Sequence, residues 1–448
     1  MADTLETLTD AMLTAARRAG ADAADAIAVG GQSISIDVLN GALEHAERSE
    51  GTDIGLRVLI GQRQAIVSSS DTRLETIAEM ADRAVAMARL APEDATIGLA
   101  DPGQLATDID VAALELSDPA PEPDPKELED AALRAEAAAL AIDGVSQVQS
   151  AGAGYSNRAI HLATTNGFSD GYARTGSGVS CVAISGTGAE MERDYFGDTR
   201  TFRSELLRPE EIGRIAGERT VERTGARRPK TGSYPVLFDE RISSSLIGHL
   251  LAAINGTAIA RGASWLRDGV GELVLPEALS LIENPHRPRI GGSKPFDGEG
   301  LPTVQREIVK DGVLTGWVLD LGTARKLGLQ STANAARGTT APPSPSVSNV
   351  TLIPGTQTRE ELIRDMGTGL LVTSMIGTTI NPNTGDYSRG ASGLWIENGE
   401  IAYPVNECTI AGNLREMLAG VVPANDARTH LARVVPSLLV EGMTLAGA

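Results

Sequence analysis

The sequence predicts an α+β fold: an N-terminal domain with helices packed on antiparallel strands, followed by a β-rich C-terminal domain. Three observations lead there. Helical apolar repeats and alternating strand runs interleave through the first half. The second half is dense in glycine and proline and carries many short strand-like runs. Aromatic residues make up only 3% of the 448, so the core must rest on Leu, Ile, Val and Ala. The expected boundary lies near residue 228, giving domains 1–228 and 229–448.

The elements follow in order. Leu5, Leu8, Met12 and Ala16 recur at helical spacing, and Asp3-x-x-Glu6 can serve as a capping box. Ile34, Ile36 and Val38 alternate with polar residues, as in a half-buried strand. Asp53–Ile60 and Gln64–Ser69 flank Gly61 and predict a hairpin. Thr72-x-x-Glu75 opens a second helix, with Ile77, Ala81, Ala84, Val85 and Ala88 on one face. Residues 117–125 alternate proline with acids, the composition of an extended linker inside the first domain. A helix is expected at about 126–142. Over 144–203 the chain predicts a meander of short strands punctuated by Gly152, Gly154, Gly167, Gly171, Gly176, Gly178, Gly186 and Gly188. A polar helix at about 208–225 precedes the boundary. Beyond it come a strand at Pro235–Phe238 and an apolar helix with Leu246, Leu250, Leu251 and Ile254. Ala341-Pro-Pro-Ser-Pro-Ser reads as a surface loop, and Asn398-Gly399 as a hairpin turn.

Charge narrows the function classes. Lys and Arg total 39 against 59 Asp and Glu, a formal net charge of −20. A nucleic-acid or anionic-membrane surface needs a basic footprint. The only short basic run is Arg227-Arg228-Pro229-Lys230. No run of ~18 apolar residues predicts a membrane span, and the first residues lack the pattern of a signal peptide. With Cys181 and Cys408 the only cysteines, no disulfide framework is expected, and a cytoplasmic protein is the simplest reading.

The search for chemistry is mostly negative. The five histidines, His45, His161, His249, His286 and His430, include no pair three to five residues apart. No nucleophile elbow and no phosphate-binding glycine loop occurs. Ser243-Ser244-Ser245 reads as helix capping, and Cys408 as a buried structural thiol. The densest stretch is Thr384 to Glu400, where Asp386, Tyr387 and Arg389 sit between glycines and Asp386 could pair with Arg389 to shape a loop.

Several segments together resemble the TldD/PmbA family, in its PmbA (TldE) branch. They are Asp53-Ile-Gly-Leu-Arg-Val, Thr165-Asn-Gly-Phe, Met191-Glu-Arg-Asp-Tyr, Pro235-Val-Leu-Phe, Pro295-Phe-Asp-Gly-Glu-Gly, Asp311-Gly-Val-Leu, Gly385-Asp-Tyr-Ser-Arg-Gly-Ala-Ser-Gly and Ile410-Ala-Gly-Asn-Leu. The resemblance implies a cytoplasmic two-subunit metalloprotease that trims leader peptides and degrades unfolded polypeptides such as antitoxins. It also carries an older family label, modulator of DNA gyrase; the acidic balance makes any such link indirect.

One departure assigns the branch. The TldD pattern is His-Glu-x-x-x-His on the helix after the short strand. Placing its last His on His249 puts the first His on Ser244 and the Glu on Ser245, and Cys408 does not match the position of the third ligand. The resemblance therefore implies no zinc and no catalytic residue in this chain, with zinc in a TldD-type partner subunit. His249 is the candidate wall of a vestigial site; Asp386, Tyr387, Arg389 and Glu397 are candidates for the peptide groove or the subunit interface. Two other readings remain open at this point: an autonomous metal peptidase using His249 or His286 with distant carboxylates, and a non-enzymatic homodimeric scaffold.

Overall fold

Side-chain alternation along one long strand organises the N-terminal half. In the computed structural model, which describes residues 4–447, α1 (Leu5–Ala19) precedes β1 (Ala23–Leu39), β2 (Ala42–Ile60) and β3 (Arg63–Ser69). After α2 (Leu74–Leu90) and α3 (Pro125–Leu140) come β4 (Val145–Thr164), β5 (Ser169–Ser185), β6 (Glu192–Arg200) and α4 (Pro209–Val221). The strands form one sheet in the order β3-β2-β1-β4-β5-β6, with every neighbour antiparallel.

On β1, Ala24, Ala26 and Ala28 pack with α1 and α2, while Ile34, Ile36 and Val38 pack with α3 and α4. These positions share a parity, so they share a face. All four helices therefore cover one side of the sheet. The odd positions Asp25 and Ile27 point the other way, and Ile27 clusters with Leu162, Phe168 and, from the C-terminal half, Phe296.

Local expectations hold with corrections. Helix α1 is capped one residue later than expected, by Thr4 and Thr7 reciprocally; Asp3 lies outside the described residues. Helix α2 buries the expected face, but its N-cap is Arg73 and no side chain caps it, so Thr72 does not act there. The hairpin around Gly61 pairs from Ile54↔Ser69 to Ile60↔Arg63. The meander is built of long strands, not short ones: β4 and β5 run 20 and 17 residues. Gly152, Gly154, Gly171, Gly176 and Gly178 lie inside those strands rather than at turns. Close approach explains one of them, since a Cβ on Gly171 would stand 2.5 Å from the Ile160 carbonyl oxygen. The expected linker has no helix or strand before Pro125, yet it is tied down: Asp118 N–H donates to Thr175 at 2.8 Å, and Arg203 N–H donates to Asp118 at 2.8 Å.

Helices α3 and α4 cross at Gly213, where a Cβ would fall 1.9 Å from the Ala135 carbonyl oxygen. Backbone cannot yield as a side-chain tip can. Gly213→Ala is expected to destabilise the N-terminal half by roughly 1–3 kcal/mol, the usual cost of overpacking, read as a lower urea midpoint.

The C-terminal half is β-rich as expected. Its strands are β7 (Gly232–Phe238), β8 (Leu281–Glu283), β9 (Arg306–Lys310), β10 (Val313–Leu314), β11 (Ala335–Ala336), β12 (Ser344–Pro345), β13 (Val350–Leu352), β14 (Gly369–Ile380), β15 (Asp386–Glu397), β16 (Glu400–Asn413), β17 (Val422–Pro423), β18 (Arg433–Val434) and β19 (Leu438–Ala446). Helices α5 (Glu240–Ala253), α6 (Gly256–Ala260), α7 (Leu321–Leu327), α8 (Arg359–Met366) and α9 (Leu414–Ala419) sit between them. One sheet runs β16-β15-β14-β7-β19-β17, and β16 pairs again with β19, which closes five of these strands into a barrel. Asn398 and Gly399 both have positive φ, 53° and 76°, so the β15–β16 hairpin turns as its Asn-Gly pair predicts. The basic run is engaged within the chain: Arg227 stacks on Tyr403 at 3.7 Å, and Arg228 donates to Glu407 at 2.8 Å.

Candidate functional site

Helix α5 carries the first candidate. Leu246, Ile247 and Leu250 are fully buried in the barrel-side core, and this apolar stripe fixes the roll of the helix. Its N-cap is Asp239, whose carboxylate accepts the Arg241 N–H at 3.2 Å. Ser243, Ser244 and Ser245 therefore lie inside the helix and are not caps. Ser243 donates weakly to the Glu240 and Val435 carbonyls, each at 3.4 Å. The Ser245 hydroxyl and His249 Nε2 are buried with no hydrogen-bond partner. They stand four residues apart, on one face of the helix.

Strand β15 brings the next two candidates to His249. The Tyr387 ring meets the imidazole edge to face, with centroids 5.9 Å apart and planes at 71°. Tyr387 is 2% exposed and its hydroxyl donates to Met375 Sδ at 3.2 Å. Burial pushes this phenol up to about 12, against the opposing pull of Arg389. Arg389 Nε donates to the Gly377 carbonyl at 2.6 Å. Burial lowers the His249 pKa, and the Arg389 cation lowers it further. The imidazole is thus held neutral, beside a fixed positive charge.

The other candidates lie elsewhere. Asp386 is exposed and does not pair with Arg389. It accepts from Thr384 at 2.6 Å and Asn413 at 3.2 Å, which hold it below the usual carboxylate range and shape the turn into β15. Glu397 sits at the opposite end of β15, about 30 Å along the strand from Tyr387. There it accepts the Trp395 indole N–H at 3.2 Å. The structure therefore joins His249, Tyr387 and Arg389, and leaves Asp386 at the rim and Glu397 apart.

The remaining histidines are scattered: His161 faces Thr9, His286 faces Thr303, and His430 lies 3.5 Å from Asp198. Among the described residues no three His, Cys, Asp or Glu side chains converge as a metal would require. Cys408 donates to the Ala391 carbonyl, and burial raises its thiol to about 11, so it is a packed, unreactive group. No described helix is long and apolar enough to cross a membrane.

Sequence reasoning missed a buried ionic cluster between the two halves. Arg57 Nε donates to Asp25 at 2.6 Å, and Arg337 of the C-terminal half closes on the same carboxylate. Asp25, Arg57 and the Arg337 side chain are 2%, 4% and 1% exposed. Glu299 and Asp320 stand close enough to Arg57 to act on its charge. The available signal was the Pro295-Phe-Asp-Gly-Glu-Gly motif, which contains Glu299.

Comparison with known proteins agrees along the whole chain. Models of PmbA/TldA metallopeptidase domain 1, the central domain and the C-terminal domain match residues 24–88, 118–224 and 231–447. Metalloprotease PmbA of Escherichia coli O157:H7 is 36% identical over 416 residues, covering 92% of this chain and 90% of that protein. The Haemophilus influenzae homolog of PmbA is 35% identical over 438 residues, with coverages of 96% and 94%. In fold, a candidate modulator of DNA gyrase from Bacteroides thetaiotaomicron superposes with a TM-score of 0.91 at 24% identity, covering 99% and 100%. TldE from Thermococcus kodakarensis does so with a TM-score of 0.85 at 20% identity, covering 98% and 100%. The chain belongs to the PmbA/TldD metallopeptidase family, as a PmbA/TldE-type member.

Proposed function

We propose that this chain is the zinc-less subunit of a two-chain metalloprotease acting on unfolded peptides. A TldD-type partner would carry the zinc, while this chain shapes the peptide groove. The observation that carries the reading is the donor set around His249. It holds one imidazole, with serines at 244 and 245 where the TldD pattern has His and Glu. Catalytic zinc takes three protein ligands and an open position. Arg389 adds a cation that disfavours a second positive charge at the imidazole. These residues do not fit a zinc ion.

The barrel offers a surface suited to extended peptides. Strand β7 pairs with β14 only at Leu370–Val372, whereas β14 continues to Ile380. Its edge beyond Val372 has no strand partner on that side among the described residues. A peptide strand added there gains main-chain hydrogen bonds with little side-chain readout, as sequence-tolerant cleavage of unfolded chains requires.

The test is elemental analysis and a peptidase assay on the chain purified alone, then with a TldD-type chain. The reading expects zinc below ~0.1 per chain and no cleavage alone, since catalysis needs a near-stoichiometric ion. It expects chelator-sensitive cleavage once the partner is added. Near-stoichiometric zinc with chelator-sensitive cleavage by the isolated chain would overturn it, as would failure of the two chains to associate.

A further inference from the structure

One face of α5 carries Ser244, Ser245, Gly248 and His249, all half-buried, between the buried positions Ser243, Leu246, Ile247 and Leu250. Two polar atoms on it, Ser245 Oγ and His249 Nε2, are buried and have no hydrogen-bond partner among the described residues. Buried polar groups are nearly always paired, so two orphans one helical turn apart need a partner from outside the chain. Both belong to half-buried residues, and a small side-chain rotation brings either atom to the surface of the face.

The charge around this face has one sign. Arg389 is the only charged group that acts on the His249 imidazole, and the only one that acts on the Tyr387 phenol. Arg433, from β18, also stands over the face: a Cβ on Gly248 would lie 3.4 Å from its Nη1. Arg389 spends its Nε on the Gly377 carbonyl, and neither guanidinium has a carboxylate partner among the described residues. The chain has a net charge of −20, yet no acid answers these two cations. The groups gathered here suit an anion. A serine hydroxyl, two guanidiniums and a neutral imidazole in its Nε2–H tautomer all donate. A cation would be repelled.

The face is tied to β14. The Tyr387 hydroxyl reaches Met375 at 3.2 Å and Arg389 reaches Gly377 at 2.6 Å. Both targets lie on β14 beyond Val372, the stretch whose edge lacks a strand partner.

We infer that this face of α5 binds a carboxylate of the extended peptide, with Arg389 and Arg433 as countercharges and Ser245 and His249 as hydrogen-bond donors. The inference rests on reading the β14 edge as a peptide groove, and it supplies what that edge lacks. Main-chain pairing holds a strand but leaves its register weakly specified; an anchored carboxylate fixes the register.

The test is calorimetry of the full chain with one short, N-acetylated, alanine-rich peptide in three forms: the free C-terminal acid, the C-terminal amide, and the amide with one internal Glu. The free acid or the Glu peptide is expected to bind about tenfold or more tighter than the plain amide, as charge-assisted hydrogen bonds do. Which of the two gains identifies the carboxylate as terminal or side-chain. Arg433→Gln is expected to keep the parent Tm, since this exposed side chain makes no hydrogen bond among the described residues. It should remove most of the preference and leave binding of the plain amide unchanged. Equal binding of all three forms overturns the inference and leaves a groove without an anchor. No binding of either carboxylate peptide overturns it as well, as does an undiminished preference in Arg433→Gln. Inorganic phosphate that competes as tightly as the peptide would mark a plain anion site and also overturn it. Failure of the subunit reading looks different: zinc in the isolated chain, or no association with a TldD-type chain, leaves the carboxylate preference measurable.

Discussion

Asp25→Ala is expected to destabilise the protein by roughly 3–5 kcal/mol, the cost of breaking a buried ion pair from one side. The carboxylate is shared by two guanidiniums, Arg57 from the N-terminal sheet and Arg337 from the C-terminal half. Burial alone would lower the Arg57 pKa, but Asp25 outweighs it and the net shift is upward. For Arg337 burial wins and the shift is downward. Both cations thus lean on one anion, and removing it strands two charges in a site closed to water. The loss should fall on the seam between the halves, with a lowered urea midpoint and earlier proteolysis near residues 337–343. Combining Asp25→Ala with Arg57→Met and Arg337→Met should recover much of the loss, because no unpaired charge is then left behind. A loss below ~1 kcal/mol in the single variant would mean that the cluster is hydrated or dispensable.

Glu299 should give the protein a stability that falls as pH rises. Burial is the first cause of its raised pKa, followed by repulsion from Asp297. The folded chain therefore binds this proton more tightly than the unfolded chain, where the value is near its ordinary 4.5. The contribution is fully present below the unfolded value and is lost as pH climbs through the folded value of about 8. The slope approaches 1.4 kcal/mol per pH unit inside that window, and the total is on the order of 5 kcal/mol. Glu299→Gln keeps the shape without the titration. Urea unfolding between pH 5 and 9 should show a steeper decline in the parent than in this variant. Parallel curves would place the Glu299 proton elsewhere in the titration of the chain.

Local grammar and family were both legible in the amino-acid order alone. Alternation at Ile34, Ile36 and Val38, the hairpin about Gly61, the apolar stripe of α5 and the Asn398-Gly399 turn depend on neighbours in the chain, so period and turn chemistry carry them. The family was legible because its motifs span the chain. Where a local expectation failed, another contact had overruled it. Gly171 belongs to a strand because the Ile160 backbone leaves no room for a Cβ. Ser243 to Ser245 are not caps because Asp239 begins the helix first. The spacing of Asp386 and Arg389 suggested a pair, but Arg389 found the Gly377 carbonyl across the hairpin.

Which candidates meet was settled by long-range packing. It seated Tyr387 and Arg389 against His249 from another element, and it sent Glu397 to the far end of the same strand. It also assembled Asp25, Arg57, Glu299 and Arg337 from positions up to 312 residues apart. In a linear reading, each of those charges looks like a solvated surface residue. Strand alternation turned Asp25 and Arg57 away from the helices, and the C-terminal half then closed over them. Burial by a distant segment is what changes a charge from a soluble group into a structural one, and sequence spacing carries no record of it.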